Sequence, residues 1–149
     1  MKKSDYMREA LNQAQLALKE GEVPVGTVVV KDNQIIGRGY NKSIQSKDPT
    51  AHAEIIALRE AALVLNNYRL TDTIVFTTLE PCLMCAGALV HSRVSKVIFS
   101  TSDPKSGVLI NNGSLIQSNF LNHRIEFEGG LLEEDSSKLL KEFFLKKRA

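Results

Sequence analysis

Apolar and polar positions follow two distinct periods along this chain. After Ser4, a candidate N-cap, the residues Met7, Leu11, Ala14 and Leu18 recur at helical spacing and Gly21 closes the run, which predicts an amphipathic helix. Val25 to Lys31 is rich in β-branched residues, Asp32-Asn33 is a turn pair, and Gln34 to Asn41 carries Ile35, Ile36 and Tyr40, so the segment reads as a β-hairpin. Asp48-Pro49-Thr50 is the predicted start of a second helix, with Ile55, Leu58, Ala62 and Leu65 as its apolar stripe and Asn66-Asn67 as its stop. Thr73 to Thr78 predicts a third strand, Pro81 opens a helix running toward His91, and Ser95 to Ser100 predicts a fourth strand. Strand, helix and strand with short joins make a right-handed βαβ unit with parallel strands. Thr101 to Asn122 reads as a long loop or short irregular helices, and Arg124 to Glu128 as a fifth strand. A last helix from Leu132 carries Leu139, Leu140, Phe143 and Phe144 and ends in Lys146-Lys147-Arg148.

This order predicts an α/β fold, a three-layer α/β/α sandwich with a five-stranded mixed sheet, in one domain over residues 1–149. In such sheets the ligand crevice lies beyond the carboxyl ends of the parallel strands, which points to Thr78–Cys82 and Thr101–Lys105. Composition agrees with one core: 149 residues, 43% hydrophobic and 24% charged. The longest apolar runs, such as Val28-Val29-Val30, are far short of the ~18 residues of a membrane helix. The amino-terminal segment has no apolar stretch of the secretory kind, so the expected compartment is the cytosol, with no membrane partner. Nineteen basic against seventeen acidic residues give a net charge of +2, which leaves the partner open.

Candidate chemistry narrows the reading. The only two cysteines lie in Cys82-Leu83-Met84-Cys85, which excludes a disulfide framework and points to metal or redox chemistry. Two thiolates on one helical turn converge on one ion, and a helix N-terminus favours their anionic form. His52, at the start of the neighbouring helix, supplies a third ligand suited to zinc and leaves the fourth position for water. Glu54 lies at another azimuth, placed to handle that water's protons. A structural zinc site needs a second CxxC or two histidines, and only His52, His91 and His123 exist. His91 and His123 read as ordinary polar positions.

His52-Ala53-Glu54 with Pro81-Cys82-Leu83-Met84-Cys85 resembles the zinc nucleobase deaminase signature. The resemblance runs along nearly the whole chain and is nearest to bacterial tRNA adenosine deaminases, through Glu22 to Gly26, Asn41, Asp48 to Glu54, Asn67 to Leu70, Thr78 to Gly87, His91 to Arg93, Asp103, Lys105 to Gly107 and Asn122 to Arg124. It implies a cytidine deaminase-like fold and one Zn2+ per chain, held by His52, Cys82 and Cys85. It also implies Glu54 as proton carrier, and hydrolysis of the wobble adenosine of an arginine-type tRNA anticodon to inosine by a zinc-activated water attacking C6. The family works as homodimers on a tRNA anticodon stem-loop. By the same resemblance Asn41 hydrogen-bonds the flipped nucleotide, Val25 and the Ala53 backbone shape its pocket, Asp103 and Lys105 meet neighbouring nucleotides, and Phe144 with the basic terminus contacts tRNA. Asn41 and Asp103 read equally as turn residues, Phe144 as core, and the basic cluster as a solvated helix end. A deaminase of free nucleobases or nucleosides (guanine, cytosine or adenosine) is the alternative enzyme, and a zinc-stabilised binding module the non-enzymatic one. The chain departs from the family after Gly107, where Val108-Leu109-Ile110-Asn111-Asn112 replaces small residues.

Overall fold

The computed structural model describes residues 1–148; Ala149 and the side chain of Arg148, part of the predicted basic terminus, lie outside the described residues. Helix α1 (Lys3–Lys19) starts two residues earlier than a Ser4 cap implies, because the Asp5 carboxylate accepts the Lys2 backbone N–H at 2.8 Å and draws Ser4 into the first turn. Tyr6, Met7, Ala10, Leu11, Ala14 and Ala17 form its buried face. Strands β1 (Gly26–Lys31) and β2 (Gln34–Tyr40) pair antiparallel about Asp32-Asn33, both at positive φ (51° and 62°), the backbone of a two-residue hairpin turn whose twist matches the strands.

A short helix, α2 (Ser43–Ser46), follows; so brief an element leaves no periodic trace in sequence. The next helix, α3 (Ala53–Leu65), begins at Ala53 and not at Asp48. Asp48 instead closes a local turn, accepting the Thr50 N–H at 2.9 Å and the Thr50 hydroxyl at 2.7 Å. The buried face of α3 is also rotated from the predicted stripe: Ala53, Ala57, Leu58 and Ala61 are buried, while Ile55, Ala62 and Leu65 are half-buried. Gly37 and Gly39 of β2 explain the rotation. A Cβ on Gly39 would stand 2.5 Å from the Ala53 carbonyl and 2.7 Å from the Ala57 nitrogen, so α3 seats its alanine ridge directly on bare strand backbone.

The predicted βαβ unit is β3 (Ile74–Leu79), α4 (Leu83–His91) and β4 (Lys96–Thr101), with β3 and β4 parallel. Within the long connection only Leu115–Gln117 forms a 3-10 turn; β5 (Glu126–Glu128) then pairs parallel with β4, and α5 (Glu133–Arg148) completes the described chain. The sheet order is β2-β1-β3-β4-β5. One core lies between the sheet and α3 and α4, around Val29, Ala57, Leu89 and Phe99. The other lies on the α1 side, around Met7, Val28, Phe76 and Ile98, and α5 joins that face through the Ser136 hydroxyl, which donates to the Thr78 carbonyl at 2.5 Å. Because β1 runs against β3, the carboxyl ends of β2 and β3 meet at one edge of the sheet, and Asn41, Cys82 and Asp103 all emerge there. No helix among the described residues is long and apolar enough to cross a membrane.

Candidate active site

Two helix starts converge at that edge. His52 is the N-cap of α3 and Cys82 the N-cap of α4, so both leave extended backbone at the point where their helices begin, and Cys85 follows one turn into α4, fully buried. His52 Nδ1 lies 3.5 Å from Cys85 Sγ and 3.7 Å from Cys82 Sγ, and all three candidate ligand atoms fall within 4.8 Å of one another. A tetrahedral zinc with Zn–S near 2.3 Å and Zn–N near 2.0–2.1 Å requires N···S separations of about 3.6 Å. The donor set therefore fits zinc before any rearrangement. Three protein ligands leave one tetrahedral position for another molecule.

The electrostatics match a cation site. The Cys82 thiol is pulled down to about 4, first by the hydrogen bond from Cys85 and then, against burial, by those from His52 and the Cys85 backbone N–H. Cys85 is pushed up by its hydrogen bond to Cys82 and by burial, as expected of a neighbour of an existing thiolate. His52 is raised, chiefly through its hydrogen bond with Cys82, with burial opposing. Glu54 sits in the first turn of α3, 4% exposed, and its carboxyl is pushed up to about 7, by burial foremost and by the Cys82 charge. It is a buried carboxyl beside the three ligands and is not one of them. His91 is exposed at the end of α4, and His123 Nε2 lies 2.7 Å from the Val94 carbonyl in the lower part of the sheet; neither joins the cluster.

The sequence profile of the cytidine and deoxycytidylate deaminase zinc-binding region matches residues 1–101. A tRNA-specific adenosine deaminase of Haemophilus influenzae is 48% identical over 143 residues, covering 95% of this chain and 83% of that protein. One from Aquifex aeolicus is 45% identical over 148 residues, covering 99% and 97%. The chain belongs to the family of tRNA-specific adenosine deaminases. A solved structure from a study of A-to-I editing by tRNA:A34 deaminases at the wobble position of transfer RNA superimposes with a TM-score of 0.90, at 34% identity, over 93% of this chain and 100% of that one. The match to the family's zinc-binding region spans His52, Cys82 and Cys85, so the cofactor of the family is zinc and this cluster is the candidate site for it.

The remaining family positions fall around the cluster in different ways. Asn41 Oδ1 accepts the Ala53 N–H at 2.8 Å, so this side chain caps α3 and fixes the residue between His52 and Glu54. Its amide N–H2 has no protein partner among the described residues. Val25 is buried, just before β1 at the same edge. Asp103 acts in a turn: its Oδ1 accepts the N–H groups of Lys105 and Ser106, both at 3.2 Å. Lys105 is exposed and joins no ion pair among the described residues. Phe144 is half-exposed, edge-on to the buried Phe143 with ring centres 5.2 Å apart, so the core position in α5 belongs to Phe143. Phe144 lines a groove of about 480 Å³ with Thr101 and Ser102, the residues directly before Asp103. The end of α5 and the 103–107 turn are thus neighbours within one chain, and their separation in sequence does not by itself call for a second subunit.

Two buried carboxylates have roles that their sequence motifs do not reveal. Glu22, 2% exposed, accepts the N–H groups of Ile44 (3.1 Å) and Gln45 (2.8 Å) and seats α2. Glu80, also 2% exposed, organises the segment after β4. For Glu80 the available signal was a single acid set between Leu79 and Pro81, where an uncompensated charge is costly; Glu22, two residues after Glu20 at a helix end, offered none.

Proposed function

We propose that the chain hydrolyses adenosine to inosine at the wobble position of a tRNA anticodon, releasing ammonia, with Glu54 as the proton carrier and the arginine-type anticodon stem-loop as its substrate. The observation that carries this reading is the buried Glu54 carboxyl beside a three-ligand zinc cluster, an arrangement with no use in a purely structural metal site. Zinc at His52, Cys82 and Cys85 supplies a Lewis acid that lowers the pKa of water near the target carbon. Glu54, held near 7, takes a proton from water as the C6–O bond forms and passes it to ring N1. It then carries the proton of the new hydroxyl to the amino group, the C6–N bond breaks, and ammonia leaves. Asn41, fixed through Ala53, keeps its amide N–H2 for the flipped nucleotide, Val25 and the Ala53 backbone wall the pocket, and Asp103, Lys105 and Phe144 meet the flanking RNA.

The working unit is a cytoplasmic homodimer of this one deaminase domain. Exposed Leu83 and Phe120, around an apolar depression that α4 forms with the 3-10 turn, supply a surface for a second copy. Incubation with total tRNA and, separately, with free adenosine, adenine, guanine and cytosine tests the reading. Inosine in RNA supports it, while turnover of a free base alone replaces it with the free nucleobase deaminase. Zinc content unchanged in a Cys82→Ala, Cys85→Ala double variant would remove the metal assignment.

A further inference from the structure

The 103–112 segment is held from both sides by side chains that the chemistry above does not use. From inside, the Glu80 carboxylate accepts five hydrogen bonds: the backbone N–H groups of Asp103 (3.0 Å), Leu109 (2.9 Å), Ile110 (3.0 Å) and Asn111 (3.1 Å), and the Asn111 amide at 2.6 Å. No cation pairs with it among the described residues, so these donors alone compensate its burial. Gly107 closes over the carboxylate, where a Cβ would collide with Glu80, and bridges to Cys82. The segment is therefore tied to the zinc-ligand residue itself.

From outside, Asn112 performs the complementary task. It sits in the left-handed region at φ 50°, which asparagine tolerates better than most residues, and its amide reaches the carbonyls of Gly107 (2.9 Å), Pro104 (3.2 Å) and Lys105 (3.3 Å). The 103–107 turn is thereby bound by Glu80 beneath, Asn112 above and the Asp103 carboxylate within. What this turn displays is Lys105, an exposed cation without an ionic partner among the described residues, two positions before the Gly107 bridge to Cys82.

We propose that Asn112 is a positioning residue for substrate RNA: it locks the 103–107 turn so that Lys105 meets a phosphate beside the target nucleotide without having to be ordered on binding. This deepens the function proposed above and rests on it. A pre-ordered turn lowers the entropy lost on association, so its effect belongs in binding and not in the chemical step. Asn112 is exposed and its backbone conformation suits glycine, so Asn112→Gly removes the three hydrogen bonds without adding charge or strain.

The test uses the zinc-loaded full chain and intact tRNA. Asn112→Gly is expected to raise KM by about 3- to 10-fold, as loss of one or two net hydrogen bonds does, with kcat within about 2-fold and zinc content unchanged. In a Lys105→Ala background the same substitution is expected to change KM little, because the residue acts through Lys105. An unchanged KM in active enzyme, a fall in kcat instead, or full additivity with Lys105→Ala overturns the positioning role and leaves the deaminase reading intact. A wild-type chain that makes no inosine in tRNA overturns both.

Discussion

At the residue scale, Glu54 and Gln differ by a proton-bearing oxygen and almost nothing in shape, which makes Glu54→Gln the cleanest probe of proton transfer. The side chain is buried and is not among the candidate metal ligands, so the variant is expected to keep its fold and zinc while losing at least ~10²-fold in turnover. Inosine yield per enzyme, read with zinc content and Tm on the same preparation, checks it; activity near wild type removes Glu54 from the mechanism. The cluster was legible in the sequence because metal ligation demands particular atoms at particular spacings, and His52, Glu54, Cys82 and Cys85 leave few alternatives. Asn41 and Asp103 were less so, since one side chain can serve backbone and substrate together: the Asn41 carbonyl caps α3 while its amide stays free, and one Asp103 oxygen closes a turn. Asn112 was not legible at all, because its partners are carbonyl oxygens whose positions exist only once the turn has folded.

At the element scale, the seat of α3 on β2 decides where His52 and Glu54 stand. Hydrophobic periodicity placed the helix but rotated its buried face, because large residues dominate a periodicity reading while contact here runs through Ala53, Ala57 and Ala61 against Gly37 and Gly39. Gly39→Ala drives a methyl against the α3 backbone and is expected to lower stability by roughly 1–3 kcal/mol and to weaken zinc binding, read from denaturant unfolding and metal titration. If stability and zinc affinity hold, the close helix–strand contact is not what sets the site. At the opposite edge, β5 is tied by Glu128, which takes Lys3 at 2.9 Å and Lys96 at 3.1 Å. These hydrogen bonds, Lys3 first, hold its carboxyl below the usual range against slight burial. A carboxyl with a depressed folded-state pKa contributes stability above its unfolded value and loses it as pH falls through the folded one. Glu128→Gln is therefore expected to lower stability at neutral pH by roughly 0.2–1 kcal/mol after solvent screening. Urea midpoints should converge with wild type as pH drops below the ~4.3 of free Glu, and the difference should shrink in high salt. A gap that persists at low pH would assign the effect to packing.

At the scale of the whole molecule, the three layers, the β1–β2 hairpin and the parallel β3–β4 pair were readable from periodicity and turn residues, whereas the full strand order β2-β1-β3-β4-β5 and the arrangement of the proposed RNA-facing surface were not, because they depend on which distant segments the sheet gathers. The groove joining Phe144 to Thr101 and Ser102 is such a case, bringing the last helix beside the Lys105 turn in a single chain. With a net charge of only +2, tRNA affinity has to come from local cations and not from the overall field. Among the described side chains, Lys105 on this turn and Lys146 and Lys147 at the end of the last helix are exposed cations; Lys146 has only a loose 3.8 Å contact with Glu142, and Lys147 lies 5.5 Å above the Phe143 ring. Each phosphate neutralised releases counterions, so log K for tRNA should fall linearly with log salt, by about 0.7–0.9 per contact. Cutting the chain after Glu142 would also remove the buried Phe143, so charge is better removed by substitution than by truncation. Replacing Lys105, Lys146 and Lys147 with Gln is expected to flatten the salt slope by about two to three units while leaving Tm close to wild type. Binding isotherms between low and moderate salt, with the mass of the free protein measured in solution, read both the slope and the dimer. A slope unchanged by the triple substitution would move the RNA to another face, and a monomer with full activity would leave the exposed apolar surface of α4 without a role in the reaction.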